Sequence, residues 1–175
     1  CEATTDGIVV IDEAYADFAG VSAIPLLAEY PNLLVVRSLS KSHGLAGLRI
    51  GLLRGAEELL AQLDKVRDFY EVGRVAQAAA HASLRDMDGL RARVAIIVEN
   101  RERLRKGLQQ LGLPVVPSGT NFVLVDFGEG VRGAGWEPGA KLMRARDVHG
   151  ALASRGILVR HLPGPRTEDF MRIAV

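Results

Sequence analysis

Two short, unbroken apolar runs set what this chain can fold into. One runs from Ile8 to Ile11 and ends in Asp12; the other runs from Leu33 to Val36 and ends in Arg37. Both are too short for helices and rich in β-branched or leucine side chains. That is the pattern of strands buried on both faces of a largely parallel sheet. A third run, from Leu48 to Leu53, is broken by Arg49 and Gly51. The first two runs each end on a charged residue, and the C-terminal edge of the strands is where open α/β sheets bind ligands.

Helical spacing follows. Between Ala56 and Phe69, apolar residues recur at Leu59, Leu60, Leu63 and Val66, a period that predicts an amphipathic helix. The alanine-rich stretch from Arg74 to Arg85 predicts a second. A long third helix is expected from Asp88 to Leu111, with Leu90, Val94, Ile97, Leu104 and Leu108 on its apolar stripe. Gly112 suits its C-cap, and Pro114 bars continuation. Strands are then expected at Val115 and Val116 and from Phe122 to Phe127, followed by a glycine-rich loop from Gly128 to Gly139 that holds the only tryptophan. A helix from Ala140 to Arg155 and strands from Ile157 to Arg160 and from Phe170 to Val175 complete the pattern. The fold class is α/β: a mostly parallel sheet, then a small α+β domain. The expected division is 1–87 for the first part, 88–112 for a connecting helix and 113–175 for the small domain.

The chemistry concentrates after the second run, in Arg37-Ser-Leu-Ser-Lys-Ser-His-Gly-Leu-Ala-Gly-Leu-Arg-Ile-Gly51. Lys41 lies between a hydroxyl-rich flank (Ser38, Ser40, Ser42) and the turn-forming Gly44 and Gly47. An amine so placed forms an imine with an aldehyde, while Ser38, Ser40 and Arg49 supply donors suited to a phosphate dianion. Pyridoxal phosphate has both groups. Taken singly, each residue has a plainer reading: a solvated lysine, serines in local turns, an arginine in a surface ion pair. Asp12 closes a strand, where it serves equally as a helix N-cap. Tyr15, about one helical turn on, faces the same way or packs in the core.

Other chemistries lack their residues. Lys41-Ser42 has neither glycine of a phosphate-binding P-loop, and Gly44, Gly47 and Gly51 do not form G-x-G-x-x-G. The four histidines (His43, His81, His149 and His161) lack metal-ligand spacing. Asp12, Glu13 and Asp17 do not match a calcium loop. With 175 residues, 48% hydrophobic and 25% charged, the chain has material for a core. A formal net charge of +1 offers no electrostatic case for nucleic acid or an acidic membrane. The single cysteine, Cys1, permits no internal disulfide and suits a reducing compartment.

Asp12-Glu13-Ala14-Tyr15, Ser38-Leu39-Ser40-Lys41 and Gly44-Leu45-Ala46-Gly47-Leu48-Arg49-Ile50-Gly51 together resemble the fold type I pyridoxal-phosphate aminotransferases. Within them they are most similar to the histidinol-phosphate aminotransferases. The likeness continues through Thr120-Asn121-Phe122-Val123-Leu124-Val125, Gly156-Ile157-Leu158-Val159-Arg160 and Arg172-Ile173-Ala174-Val175. The resemblance implies that Lys41 holds the cofactor and then serves as the catalytic base. It implies that Asp12 pairs with the pyridine nitrogen and Tyr15 with the phenolic oxygen, while Ser38, Ser40 and Arg49 take the 5′-phosphate. Arg172 would bind the donor carboxylate, and Arg160 with Arg172 the phosphate of histidinol phosphate. The implied reaction transfers the amine of histidinol phosphate to 2-oxoglutarate, giving imidazole acetol phosphate and glutamate, in a cytoplasmic homodimer. A threonine-phosphate decarboxylase, another class I/II aminotransferase and a non-catalytic sensor domain are the alternatives. The chain departs from the family at Asp68-Phe69-Tyr70-Glu71-Val72-Gly73, where a Pro-Tyr-Asn-like segment is usual.

The chain opens on Cys-Glu-Ala-Thr-Thr and closes in a strand-like segment. The expectation is a fragment of a longer protein, the C-terminal part of the family's large domain plus its small domain, with weak or no catalysis by itself.

Overall fold

The computed structural model describes residues 7–128, 130–132 and 142–175. The opening residues 1–6 and most of the glycine-rich loop, including Trp136, lie outside the described residues. Two compact units divide the chain, Cys1–Ala95 and Ile96–Val175.

In the first unit, β1 (Val9–Asp12), β2 (Leu33–Ser38) and β3 (Gly51–Gly55) form one sheet in the order β1-β2-β3. β1 and β2 are parallel, with Asp12 beside Val36. The expectation of a mostly parallel sheet meets a difference at β3, which runs antiparallel to β2. The reason is the link: the loop between them closes on itself, and a parallel return needs a crossover, usually a helix. β2 is buried at Leu33, Leu34 and Val35 in succession, as a strand covered on both faces should be. β1 is not. It is an edge strand whose residues alternate between half-buried and exposed, with Val10 58% exposed.

A short helix α1 (Ala16–Ala19) follows β1, and α2 (Glu57–Asp64), α3 (Arg74–Arg85) and α4 (Met87–Gln110) follow β3. α3 has the bounds expected from its alanine run. α2 stops before the expected Phe69: it buries no residue, and Val66 and Phe69 are 83% and 97% exposed. A helix that short, with no buried face, has little to hold its later turns. α4 ends where Gly112 takes a positive φ of 79°, with the Leu113 N–H donating to the Leu108 carbonyl at 3.1 Å. That is the glycine-capped terminus the sequence signals.

In the second unit, β4 (Val115–Val116), β5 (Phe122–Asp126), β6 (Arg160–His161) and β7 (Phe170–Ala174) make an antiparallel sheet ordered β4-β5-β7-β6. Val125 and Met171 of this sheet and Phe127, just past β5, pack with Ala145 of α5 (Ala145–Ala153), and Leu108 of α4 lies against them. α5 starts later than the expected Ala140, whose own position is outside the described residues. β6 is shorter than the expected strand from Ile157, since only Arg160 and His161 pair with β7.

No helix among the described residues is long and apolar enough to cross a membrane.

Candidate active site

Parallel pairing brings the ends of β1 and β2 to the same sheet edge, so Asp12 and the Lys41 loop leave the sheet side by side. The loop is closed by the backbone of Leu39, itself 2% exposed. Its N–H donates to the Ile50 carbonyl at 3.2 Å, and its carbonyl accepts from the Leu45 N–H at 3.0 Å. Lys41 opens a tight turn in which the Gly44 N–H donates to the Lys41 carbonyl at 3.1 Å and Gly44 has a φ of 71°. A side chain at that φ would be strained.

The structure brings together some of the sequence-derived candidates. The Lys41 Nζ stands 6.0 Å from the centroid of the Tyr15 ring, at the reach of a cation–π contact. Lys41 is exposed and makes no ion pair among the described residues. Asp12 is also exposed, and its Oδ1 accepts the Ala14 N–H at 2.9 Å. It is therefore not the cap of α1, whose N-cap residue is Tyr15. Ser38 and Ser40 adjoin, the Ser40 N–H donating to Ser38 Oγ at 3.1 Å. Arg49 has φ 51° and ψ 48°, the one positive φ at a non-glycine residue among those described. Its Nη1 donates to the Ala46 carbonyl at 3.0 Å. A left-handed arginine costs free energy, and such strain gathers at functional sites.

In the second unit, Arg160 and Arg172 are direct register partners on β6 and β7. Opposed residues of an antiparallel pair share a face, and like charges so placed repel unless an anion sits between them. Arg172 also lies over the Phe122 ring, 5.0 Å from its centroid. A hollow of about 450 Å³ nearby in sequence is lined by Arg144, Arg146, His161, Glu168 and Asp169. Two acids there offset two arginines, and neither Arg160 nor Arg172 lines it.

The class I and II aminotransferase family matches residues 2–175. The chain belongs to that family. It is 44% identical over 173 residues to histidinol-phosphate aminotransferase 2 of Gluconobacter oxydans, covering 97% of this chain and 45% of the relative. It is 44% identical over 171 residues to the histidinol-phosphate aminotransferase of Aromatoleum aromaticum, covering 96% of this chain and 44% of that one. The crystal structure of histidinol-phosphate aminotransferase from Sinorhizobium meliloti in complex with pyridoxal-5′-phosphate superposes with a TM-score of 0.79 at 32% identity, over 95% of this chain and 44% of that one. The chain thus spans somewhat less than half the length of the relatives it matches.

Sequence reasoning passed over a set of charged residues in this aminotransferase segment. Glu13, 8% exposed, accepts the Ser22 hydroxyl at 2.8 and 3.0 Å, the Ala23 N–H, and Arg37 through Nε and Nη2, each at 3.0 Å. Arg37 Nη1 reaches Asp17 at 3.4 Å, and Asp17 accepts the Ser42 hydroxyl through its other oxygen. Glu13, Asp17 and Arg37, with Ser38, Leu39 and His43, line a cavity of about 80 Å³. Burial by itself would raise the Glu13 carboxyl. The Ala23 N–H, the Ser22 hydroxyl and Arg37 outweigh it and hold the group below the usual carboxylate range. The available signal was an arginine closing a buried strand, which needs acid partners.

His43 completes the set, its Nδ1 2.8 Å from Ser83 Oγ on α3. Burial pushes its imidazole down, Asp17 pulls it up, and Arg93 and Arg37 push it down again; the net shift is downward. A lowered folded value means that the unfolded chain takes up the proton first. Stability is then fully present above the ordinary histidine range and is lost as pH falls through it. Glu13, being held low, stays charged in that window. Unfolding by denaturant should therefore show the protein losing stability as pH falls through the ordinary histidine range, and His43→Asn should lose less. An equal loss in the variant would show that His43 is not the titrating group.

Proposed function

We propose that the full-length protein containing this segment is a pyridoxal-phosphate-dependent transaminase that converts histidinol phosphate and 2-oxoglutarate to imidazole acetol phosphate and glutamate, a step of histidine biosynthesis. The single observation that carries the cofactor reading is the Lys41 amine poised over Tyr15 on a closed loop beyond the parallel strand ends. The donor set fits the cofactor. An exposed amine suits an aldehyde. The Ser38 and Ser40 hydroxyls and the Arg49 guanidinium suit a phosphate dianion. The Oδ2 of Asp12, uncommitted among the described residues, suits a protonated ring nitrogen.

When bound, the cofactor supplies a carbonyl that condenses with amines and a ring that takes up the electron pair left at the donor's α-carbon. Lys41 would hold the cofactor through its aldehyde and, as a free amine, would move the α-proton of the donor. Asp12 keeps the ring nitrogen protonated, and Tyr15 donates to the ring's phenolic oxygen. Ser38, Ser40 and Arg49 hold the phosphate end. Arg172 takes the donor carboxylate, and Arg160 with Arg172 takes the phosphate of the ester, both being oxyanions that a guanidinium fork matches. The facing of Arg160 and Arg172 across β6 and β7 supports this, as do the names of the relatives.

Residues 1–87 are then the last part of a cofactor domain, 88–112 a connecting helix and 113–175 a small domain. A homodimer agrees with the exposure of Phe69 and Tyr70, 97% and 96%, and a cytoplasmic setting with the single cysteine. The test is glutamate formation by the full-length protein from 2-oxoglutarate with histidinol phosphate, against aspartate and aromatic amino acids, with carbon dioxide followed alongside. A clear preference for the phosphate ester is expected. No preference would remove the substrate assignment, and carbon dioxide release without glutamate would replace transamination by decarboxylation.

A further inference from the structure

We propose that Glu13, Arg37, Asp17 and Ser42 form a positioning relay that sets where the Lys41 amine points, acting from behind the loop without touching the reacting atoms. The proposal rests on the cofactor reading of Lys41 above.

The relay has a fixed end and a working end. At the fixed end, Glu13 is held from three sides by Ser22, the Ala23 N–H and Arg37. A buried carboxylate with that many donors has one place to sit. Arg37 is a planar fork, so engaging Glu13 with Nε and Nη2 fixes the direction of Nη1. That nitrogen meets Asp17 Oδ1. The second oxygen of Asp17 takes the hydroxyl of Ser42, which is 4% exposed.

Ser42 is the residue after Lys41. Its side chain anchors one side of the lysine, and the Leu39 backbone anchors the other through Ile50 and Leu45. Only Ser40 and Lys41 lie between these anchors. Among the described residues, the exposed lysine side chain has the Tyr15 ring as its one recorded contact. Two rungs thus tie the start of α1 to the loop: Tyr15 to Lys41, and Asp17 to Ser42. The second rung holds the backbone from which the first departs. Among the described residues no buried side-chain polar atom lacks a partner, so removing the Ser42 hydroxyl leaves Asp17 short of a donor.

A role in positioning differs from one in folding, and the full-length protein can separate them. Ser42→Ala should lower kcat about 10-fold while KM for the amino donor stays within about 2-fold, because a misplaced group costs rate more than binding. The pH midpoint of the visible absorption band of bound pyridoxal phosphate should move. In the cofactor-free protein, amide exchange at Gly44 and Leu45 should quicken about 10-fold. Ser42→Thr, which keeps the hydroxyl, should restore all three. A helix-weakening control, Ala80→Gly in α3, should leave kcat and the band midpoint unchanged. If Ser42→Ala does not accumulate, Asp17→Asn provides the same readouts, since it keeps an acceptor but loses the charge that Arg37 meets. A wild-type protein with no visible band overturns the cofactor reading and the relay with it. A wild-type band matched in midpoint, kcat and exchange by the Ser42→Ala protein overturns the relay alone. So does a control that moves the midpoint and kcat as far as Ser42→Ala.

Discussion

Lys41→Ala should abolish turnover by the full-length protein, with kcat reduced about 10³-fold or more. A positioned general base is worth about 10² to 10⁴ in rate, and this lysine is also the group that would hold the cofactor. The loop around it is pinned by the Leu39 backbone and by Ser42, so the truncation removes an exposed side chain without opening a buried site. Unfolding should therefore be little changed while chemistry is lost. Lys41→Arg makes the sharper comparison. It keeps the charge near Tyr15 but offers a guanidinium that stays protonated and so has no free lone pair to act as nucleophile or base. Both variants should also lose the covalent attachment, so that borohydride treatment followed by peptide mapping labels Lys41 in the wild type and nothing in the variants. Retention of a tenth of wild-type kcat by either would remove Lys41 from the chemistry.

Phe127→Ala should have the largest effect on stability, about 3 to 5 kcal/mol. Phe127 is 1% exposed and is the largest fully buried side chain among the described residues. It lies in the cluster with Val125, Ala145 and Met171 that joins the second sheet to α5. Its N–H donates to the Asp169 carbonyl at 2.9 Å, so the backbone around it is held and cannot collapse fully into the space left. The substitution should lower the denaturant midpoint of the transition that reports the second unit. A change under about 1 kcal/mol, the range of mild core swaps, would show that this cluster does not hold the unit together. The same experiment bears on Arg172, whose strand β7 contributes Met171 to the cluster and presents Arg172 beside Arg160.

The parts of this protein legible from sequence are those set by neighbours along the chain. The alanine run of α3 and the glycine that ends α4 are local signals, and both elements fall where those signals put them. The buried run of β2 is local too. So is the crowding of hydroxyls, glycines and one lysine between Ser38 and Gly51, since the donors for a phosphate and the amine for an aldehyde lie within one loop. Family membership followed from the same short motifs.

Tertiary structure alone decided the rest, because it depends on which distant segments meet. Nothing in the spacing of Glu13, Asp17, Arg37 and Ser42 says that one guanidinium joins two carboxylates and that the second holds the hydroxyl beside Lys41; that took the parallel register of β1 and β2. The facing of Arg160 and Arg172 is likewise a matter of register, where a shift of one residue would turn one of them to the opposite face. β3 runs antiparallel because its loop closes rather than crosses, and α2 stops early where none of its residues becomes buried. Periodicity states which face of an element is apolar; only the fold states what that face meets.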